Sequence, residues 1–175
     1  MVGVGALAAQ RIAELTVSRR HERAARARGA VEHGAGHYPV IVAMHAGWMA
    51  AIGVEGWPSR RVLLPPVVVV AGAQVLRYWT IATLGPQWTT RVIVDPTAEP
   101  VVDGPYRWLR HPNYVAVAAE IAALPLVFGA WRTALVFTVA DALVLRHRID
   151  VEERARSRPD SGGVGTAPRA SGKIG

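Results

Sequence analysis

Four apolar runs, each broken by no more than one ionisable side chain, leave this chain few ways to fold. Tyr38 to Val54 contains only His45, Val62 to Leu84 only Arg77, Tyr114 to Trp131 only Glu120, and Thr133 to Leu145 only Asp141. A helix that crosses a bilayer needs about 20 mostly apolar residues, so these runs read as short or imperfect spans. A soluble domain of 175 residues would bury a single core and carry fewer such runs. Phe128-Gly-Ala-Trp-Arg132 is short enough to turn tightly at a membrane interface, which makes the last two runs a helical hairpin. Residues 2–17 supply the end of a first helix, and Ser18 to Arg28 extend it with basic and alanine residues. The expected fold is an all-α integral membrane protein with about five transmembrane helices and a cytoplasmic segment able to bind a cofactor.

The charge balance fits that topology. A net charge of +7 and a pI of about 10.9 suit nucleic acid in principle, but the placement argues otherwise. Arg19, Arg20, Arg23, Arg26 and Arg28 follow the first apolar segment, and Arg91, Arg107 and Arg110 follow the third. Arg146, Arg148, Arg154, Arg156 and Arg158 follow the last, whereas only Arg60, Arg61 and Arg132 occupy the alternate loops. With the first helix crossing towards the cytoplasm, this is the positive-inside asymmetry of a multi-pass protein. Nucleic acid is therefore not an expected partner.

Between the spans the breakers are clear. Gly34, Gly36 and Pro39 mark residues 29–39 as a loop, and Glu55 to Arg61 form the next one. Pro65 and Pro66 sit near the start of a span, where proline is tolerated. Leu84-Gly-Pro86 ends that span, and Trp88 to Val94 have the composition of a strand. Residues 1–156 make one membrane domain, and residues 157–175, rich in Ser, Gly, Pro and Ala, read as a disordered tail. There is no cysteine, which excludes disulfides and thiolate chemistry. No positive region precedes the first apolar stretch, and Arg11 and Glu14 interrupt it early, so a cleaved signal peptide is not expected.

Chemistry concentrates in Gly104-Pro-Tyr-Arg-Trp-Leu-Arg-His-Pro-Asn-Tyr114, a polar and cationic cluster at the lip of an apolar span. On one reading His111-Pro-Asn-Tyr114 simply starts a helix: Pro112 blocks continuation from upstream, Asn113 caps, and Tyr114 anchors at headgroup level. On another, Tyr106 and His111 offer hydrogen bonds at one depth, and the free N–H groups of the helix start receive an anion. The two are compatible. Arg148 and Glu152 lie four apart on one helical face; they either pair with each other or serve a ligand's carboxylate and ammonium. Glu120 sits six residues into its span, about 9 Å along the axis. There it pairs with Arg77 or His45, or acts as a catalytic carboxylate. His33 and His37 are separated by breakers Gly34 and Gly36, so no metal site is expected.

These residues resemble the isoprenylcysteine carboxyl methyltransferase family of integral membrane, S-adenosyl-L-methionine-dependent enzymes. The matching pieces are Leu84-Gly85 with Trp88, then Val101 to Tyr114, then Arg148 to Glu153. Upstream, Glu14 to Arg23, Ala27 to Gly34 and His37 to Pro39 look like a bacterial branch whose members O-methylate long-chain alkylpyrones, products of type III polyketide synthases. The resemblance implies cofactor contacts from Val101, Tyr106, His111, Pro112, Asn113 and Tyr114, with Glu152, beside Glu153, on the cofactor amino group. It implies that Arg148 faces the acidic oxygen of a lipidic acceptor such as an alkylpyrone, an alkylresorcinol or a prenylcysteine. Two departures stand out: His21 replaces an asparagine in what reads as the basic loop, and after Glu153 the chain loses the expected leucine and further helix.

Membrane reductases of the sterol type, which use NADPH, also carry Arg-His-Pro-x-Tyr. Here Gly-Pro-Tyr-Arg-Trp-Leu precedes the element and Val-Ala-Val follows it, which favours the methyltransferase. An inactive partner of a lipid-modifying enzyme is the non-enzyme alternative. The enzyme reading requires Tyr106 and His111 to meet Glu152 across a cavity.

Overall fold

A computed structural model describes residues 2–33, 36, 38–56, 62–95 and 98–157. Five helices dominate the described residues: α1 (Val2–Ala27), α2 (Tyr38–Gly56), α3 (Leu64–Leu84), α4 (Pro112–Val127) and α5 (Trp131–Ser157). The chain is mostly helical but not purely so. Strands β1 (Val31–His33) and β2 (Val92–Val94) pair antiparallel, with Val31 opposite Val94 and His33 opposite Val92. The first of these lies inside what the sequence suggests is a plain loop, and β-branched valines facing one another account for it. The disordered-tail assignment falls outside the described residues, apart from Ser157, which ends α5.

Among the described residues two helices are long and apolar enough to cross a membrane. They are α2, 19 residues of mean hydropathy 1.2, and α3 with its 3-10 extension through Gln87, 24 residues of mean hydropathy 1.5. Helix α4 is apolar but has only 16 residues, and α1 and α5 carry charges along much of their length. Leu64, Val68 and Val75 on α3 and Leu135, Val139 and Leu143 on α5 are all exposed. Water-soluble surfaces rarely carry apolar stripes of this extent, so these faces suit lipid.

The core sits where α2 and α4 cross. Trp48, Ile52, Ile121 and Leu124 are buried together, with Met44, Val70, Val117 and Phe137 packed round them. Pro125 lies inside α4 and has no N–H for the carbonyl of Ile121. The Trp48 indole N–H donates to that same carbonyl at 3.3 Å, replacing the lost bond from a neighbouring helix. The α4–α5 turn holds Gly129 at φ 74, a left-handed conformation that glycine adopts without strain. Glu55 of α2 caps α5, accepting from the backbone N–H of Arg132 at 3.0 Å and of Thr133 at 2.8 Å. A side chain at Gly56 would meet Phe128 Cβ at 2.9 Å, so helix and turn touch at the closest approach glycine permits.

Helix α1 joins this bundle through polar contacts rather than a packed seam. Gln10 donates to Gln74 Oε1 at 2.9 Å. Arg11 pairs with Glu120 and, at 2.6 Å, with Glu14. Arg77 grips Glu120 with two bonds, Nε at 2.8 Å and an Nη at 3.0 Å, and stands 3.6 Å from Glu14. Two cations and two anions thus cancel inside the apolar slab, and burial of each is offset by its neighbours. Of the two partners open to Glu120 in the sequence, Arg77 is the one observed.

Candidate functional site

The site forms at the arginine-rich end, where α1, α3 and α5 finish and α2 and α4 begin. Gly104 places the motif there. Its φ of 57 is left-handed, and a Cβ on it would lie 2.5 Å from Thr83 Oγ1, so only glycine lets this 3-10 turn rest on the end of α3. Pro105 is buried beneath the turn, and Trp108 packs on Trp79 with ring centroids 5.8 Å apart. Pro112 then opens α4, where a missing N–H costs nothing.

From that start Tyr114 reaches across to α5. Its hydroxyl donates to Glu152 Oε2 at 2.6 Å and accepts from Arg148 Nε at 3.0 Å. The His111 ring stacks on the Tyr114 ring at 5.2 Å. Two segments separated by 34 to 38 residues therefore meet directly. Where the sequence reading asks for a cavity between His111 and Glu152, the structure puts the Tyr114 side chain itself. Asn113 Oδ1 is buried there without a donor, although the residue does not cap: no side-chain cap bond closes the α4 N-terminus.

Not every expected residue joins. Glu153 is exposed, a third of a turn away from Glu152. Val101 and Tyr106 are partly buried in the segment leading to α4, and the backbone N–H of Tyr106 donates to Asp103. Glu120 lies deeper, committed to Arg77 and Arg11. On α5, Asp141, Arg148 and Glu152 fall at intervals of seven and four, hence on one face. Asp141 is buried about 10 Å deeper than Arg148. His33 sits in β1, and His37 lies outside the described residues.

Sequence reasoning gives Trp88 to Val94 the composition of a strand but misses what the backbone before β2 does at the site. Arg148 donates to the carbonyl of Thr90 at 2.5 Å. The fully buried Ser18 of α1 accepts from the Thr90 N–H at 2.8 Å. His21 Nδ1 lies 2.8 Å from the Trp88 carbonyl oxygen. This corrects the view that His21 touches only a basic loop: it helps to hold the strand that holds Arg148. Around the same segment Glu32, His33, Tyr38, Thr90, Arg91 and Arg148 gather about a shallow indentation, with Arg91 stacked 4.1 Å over the Tyr38 ring. Burial alone would raise the Glu32 carboxyl, but hydrogen bonds and charge from Arg91 and Arg26 outweigh it and hold the group below its ordinary value of 4.5.

The donors and acceptors fit a cationic, amine-bearing cofactor. A carboxylate, an orphaned amide oxygen and two stacked aromatic rings offer acceptors and π faces in one place, which suits an ammonium and a sulfonium. Among the described residues no cluster has the makings of a metal site.

Comparison with known proteins agrees with the motif. Residues 66–157 match the model of the isoprenylcysteine carboxyl methyltransferase (ICMT) family. An uncharacterized protein of Bacillus subtilis, YpbQ, is 36% identical over 157 residues, 87% of this chain and 93% of that protein. An uncharacterized protein of Haemophilus influenzae is 28% identical over 154 residues, 84% of this chain and 88% of its own length. No solved structure matches.

Proposed function

Because this chain belongs to the isoprenylcysteine carboxyl methyltransferase family, a family of membrane-embedded methyltransferases, we propose that it transfers a methyl group from S-adenosyl-L-methionine to an acidic oxygen of a lipidic acceptor. The acceptor is a carboxylate, enol or phenol attached to an alkyl or prenyl chain. The protein spans the cytoplasmic membrane several times, with its site on the cytoplasmic side, the side on which its arginines gather.

The observation that supports this most is the three-way junction of Tyr114, Arg148 and Glu152. Val101, Tyr106, His111, Pro112 and Asn113 surround the cofactor on the α4 side. Glu152 holds its amino group, and Glu153 adds negative charge at the rim. Bound there, the cofactor supplies an electrophilic methyl on a sulfonium. Its methyl would pass to the acceptor oxygen with loss of a neutral thioether, and Glu152 and Arg148 would hold the amine-bearing donor and the acceptor oxygen in line for that transfer. A carboxylate or acidic enol is already ionised near neutral pH, so the protein orients it and excludes water rather than abstracting a proton; a phenol, whose pKa is about 10, passes its proton to bulk water before the site closes over it. Arg148, fixed by Tyr114 and the Thr90 carbonyl, aims the oxygen. Glu120 is then a structural carboxylate.

Titration calorimetry with S-adenosyl-L-methionine tests this. Glu152→Gln weakens cofactor binding by tenfold or more, about 1.4 kcal/mol, and Arg148→Ala raises the acceptor KM while leaving cofactor affinity unchanged. An unaltered cofactor Kd in Glu152→Gln refutes the assignment.

A further inference from the structure

Between α1 and α3 the structure holds a cleft of about 500 Å³ that the site described above does not use. That volume is typical of a small-molecule site, in the range of about 300–1,000 Å³. It exists because α1 presents Ala9, Ala13 and Val17 to α3, side chains too short to reach Tyr78 and Ile81 opposite. Ala9, Ala13, Val17 and Tyr78 are exposed, so the mouth opens on the apolar surface. The floor is polar but closed. Glu14 is engaged by Gln10 at 2.8 Å and Arg11 at 2.6 Å, and the Arg11, Glu14, Arg77 and Glu120 charges cancel. Such a floor offers no spare cation for a phospholipid phosphate.

The end wall is Trp88, only 2% exposed, whose indole N–H is buried without an acceptor. A buried donor left unmet is unfavourable, and this one belongs to the residue that closes the cleft. Trp88 also lies two residues before Thr90, whose carbonyl holds Arg148. One short extended segment therefore forms the end of the cleft and the support of the acceptor-aiming arginine.

We propose that the α1–α3 cleft seats the hydrocarbon chain of the methyl acceptor, with Trp88 as the wall where the chain gives way to the oxygen-bearing head held by Arg148. This rests on the methyl-transfer reading and adds to it the side from which the acceptor enters and the means by which chain length is sensed. An unbranched chain lies along the alanines, and the head turns at Trp88. Longer chains gain contact with Ala9, whereas the shortest acceptors do not touch α1 at all.

The test uses the full chain in lipid nanodiscs, with methylresorcinol and pentadecylresorcinol as acceptors. Ala13→Phe raises the KM for pentadecylresorcinol about tenfold, the loss of about two buried methylene groups. It leaves the KM for methylresorcinol and the Kd for S-adenosyl-L-methionine unchanged. In the parent protein, a pentadecylresorcinol with a terminal diazirine labels α1 between Ala9 and Val17 or α3 between Tyr78 and Ile81. Untagged resorcinol competes with this labelling and phosphatidylcholine does not. An unchanged long-chain KM overturns the cleft assignment and leaves the methyltransferase standing. If both KM values rise together, the labelling decides, and adducts confined to other helices overturn the proposal. Competed labelling in the cleft without methyl transfer to either resorcinol or to a prenylcysteine keeps the cleft as a lipid site and removes the transferase reading.

Discussion

Replacing Glu120 with leucine leaves the Arg77 guanidinium charged, buried and short of its main partner. Arg77 and Glu120 side chains are each 4% exposed, and two hydrogen bonds of 2.8 and 3.0 Å join them. Breaking a buried pair from one side costs about 3–5 kcal/mol. Glu14, already 3.6 Å from Arg77, takes up part of that charge, so the low end applies, about 3 kcal/mol. For a chain of this size each kcal/mol moves Tm by about 2–4 °C, which gives a fall of about 6–12 °C. Replacing Arg77 with methionine as well removes the stranded charge, and Glu14 keeps its bond from Arg11 at 2.6 Å. The double variant Arg77→Met/Glu120→Leu therefore recovers most of the loss, since apolar replacement of a whole buried pair is often neutral. Tryptophan fluorescence during thermal unfolding in detergent micelles measures both. A single variant within about 2 °C of the parent, or a double variant less stable than the single, refutes the reasoning. A double variant that regains its Tm but binds no cofactor would return Glu120 to the functional site.

Three further outcomes follow from geometry. Gly104→Ala combines a left-handed φ of 57 with a Cβ 2.5 Å from Thr83 Oγ1; it lowers Tm and weakens cofactor binding together, and an unaffected Tm would show that the motif turn is not seated as described. Trp48→Phe loses the bond to the carbonyl that Pro125 leaves open and costs about 1–2 kcal/mol beyond the ring's lost contacts. The same change made on a Pro125→Ala background costs less, and equal costs in a double-mutant cycle would disprove the link. The third concerns pH. The folded pKa of Glu32 is depressed, so its pairing with Arg91 and Arg26 stabilises fully above the ordinary 4.5 and is lost as pH falls through the lower folded value. The stability gap between the parent and Glu32→Gln accordingly shrinks in acid, and a gap that widens as pH falls would contradict the pairing.

The helices were legible in the sequence because their signals are local. Proline placement marks the start of α3 and α4, Gly129 marks the hairpin turn, and apolar runs mark the lipid-facing stripes. The extent of α5 is legible from the same kind of signal: it runs from Trp131 through Ser157, so the run that ends at Leu145 and the charged motif after it, whose four-residue spacing already reads as one helical face, are one helix. Nothing local breaks at Leu145; only polarity changes there, and helical hydrogen bonds are indifferent to polarity. The ribbon of β1 and β2 was half visible, because strand composition shows in Trp88 to Val94 while its three-residue partner is too short to have a period.

At the site the division is sharper and follows from which atoms make the contacts. Arg148, Glu152 and Tyr114 act through side chains, so residue type and spacing expose them. What fixes Arg148 beyond Tyr114 is the carbonyl of Thr90, and what steadies that strand includes the carbonyl of Trp88. Every residue offers a carbonyl, so no pattern of letters can single these two out. The α1 side chains that grip the strand, Ser18 and His21, are visible, but they read as part of a solvated basic helix until the strand is placed against them. It follows that substitutions at Ser18 or His21 act on Arg148 through Thr90. They should therefore alter acceptor handling more than cofactor binding, although neither residue touches an acceptor in the arrangement proposed.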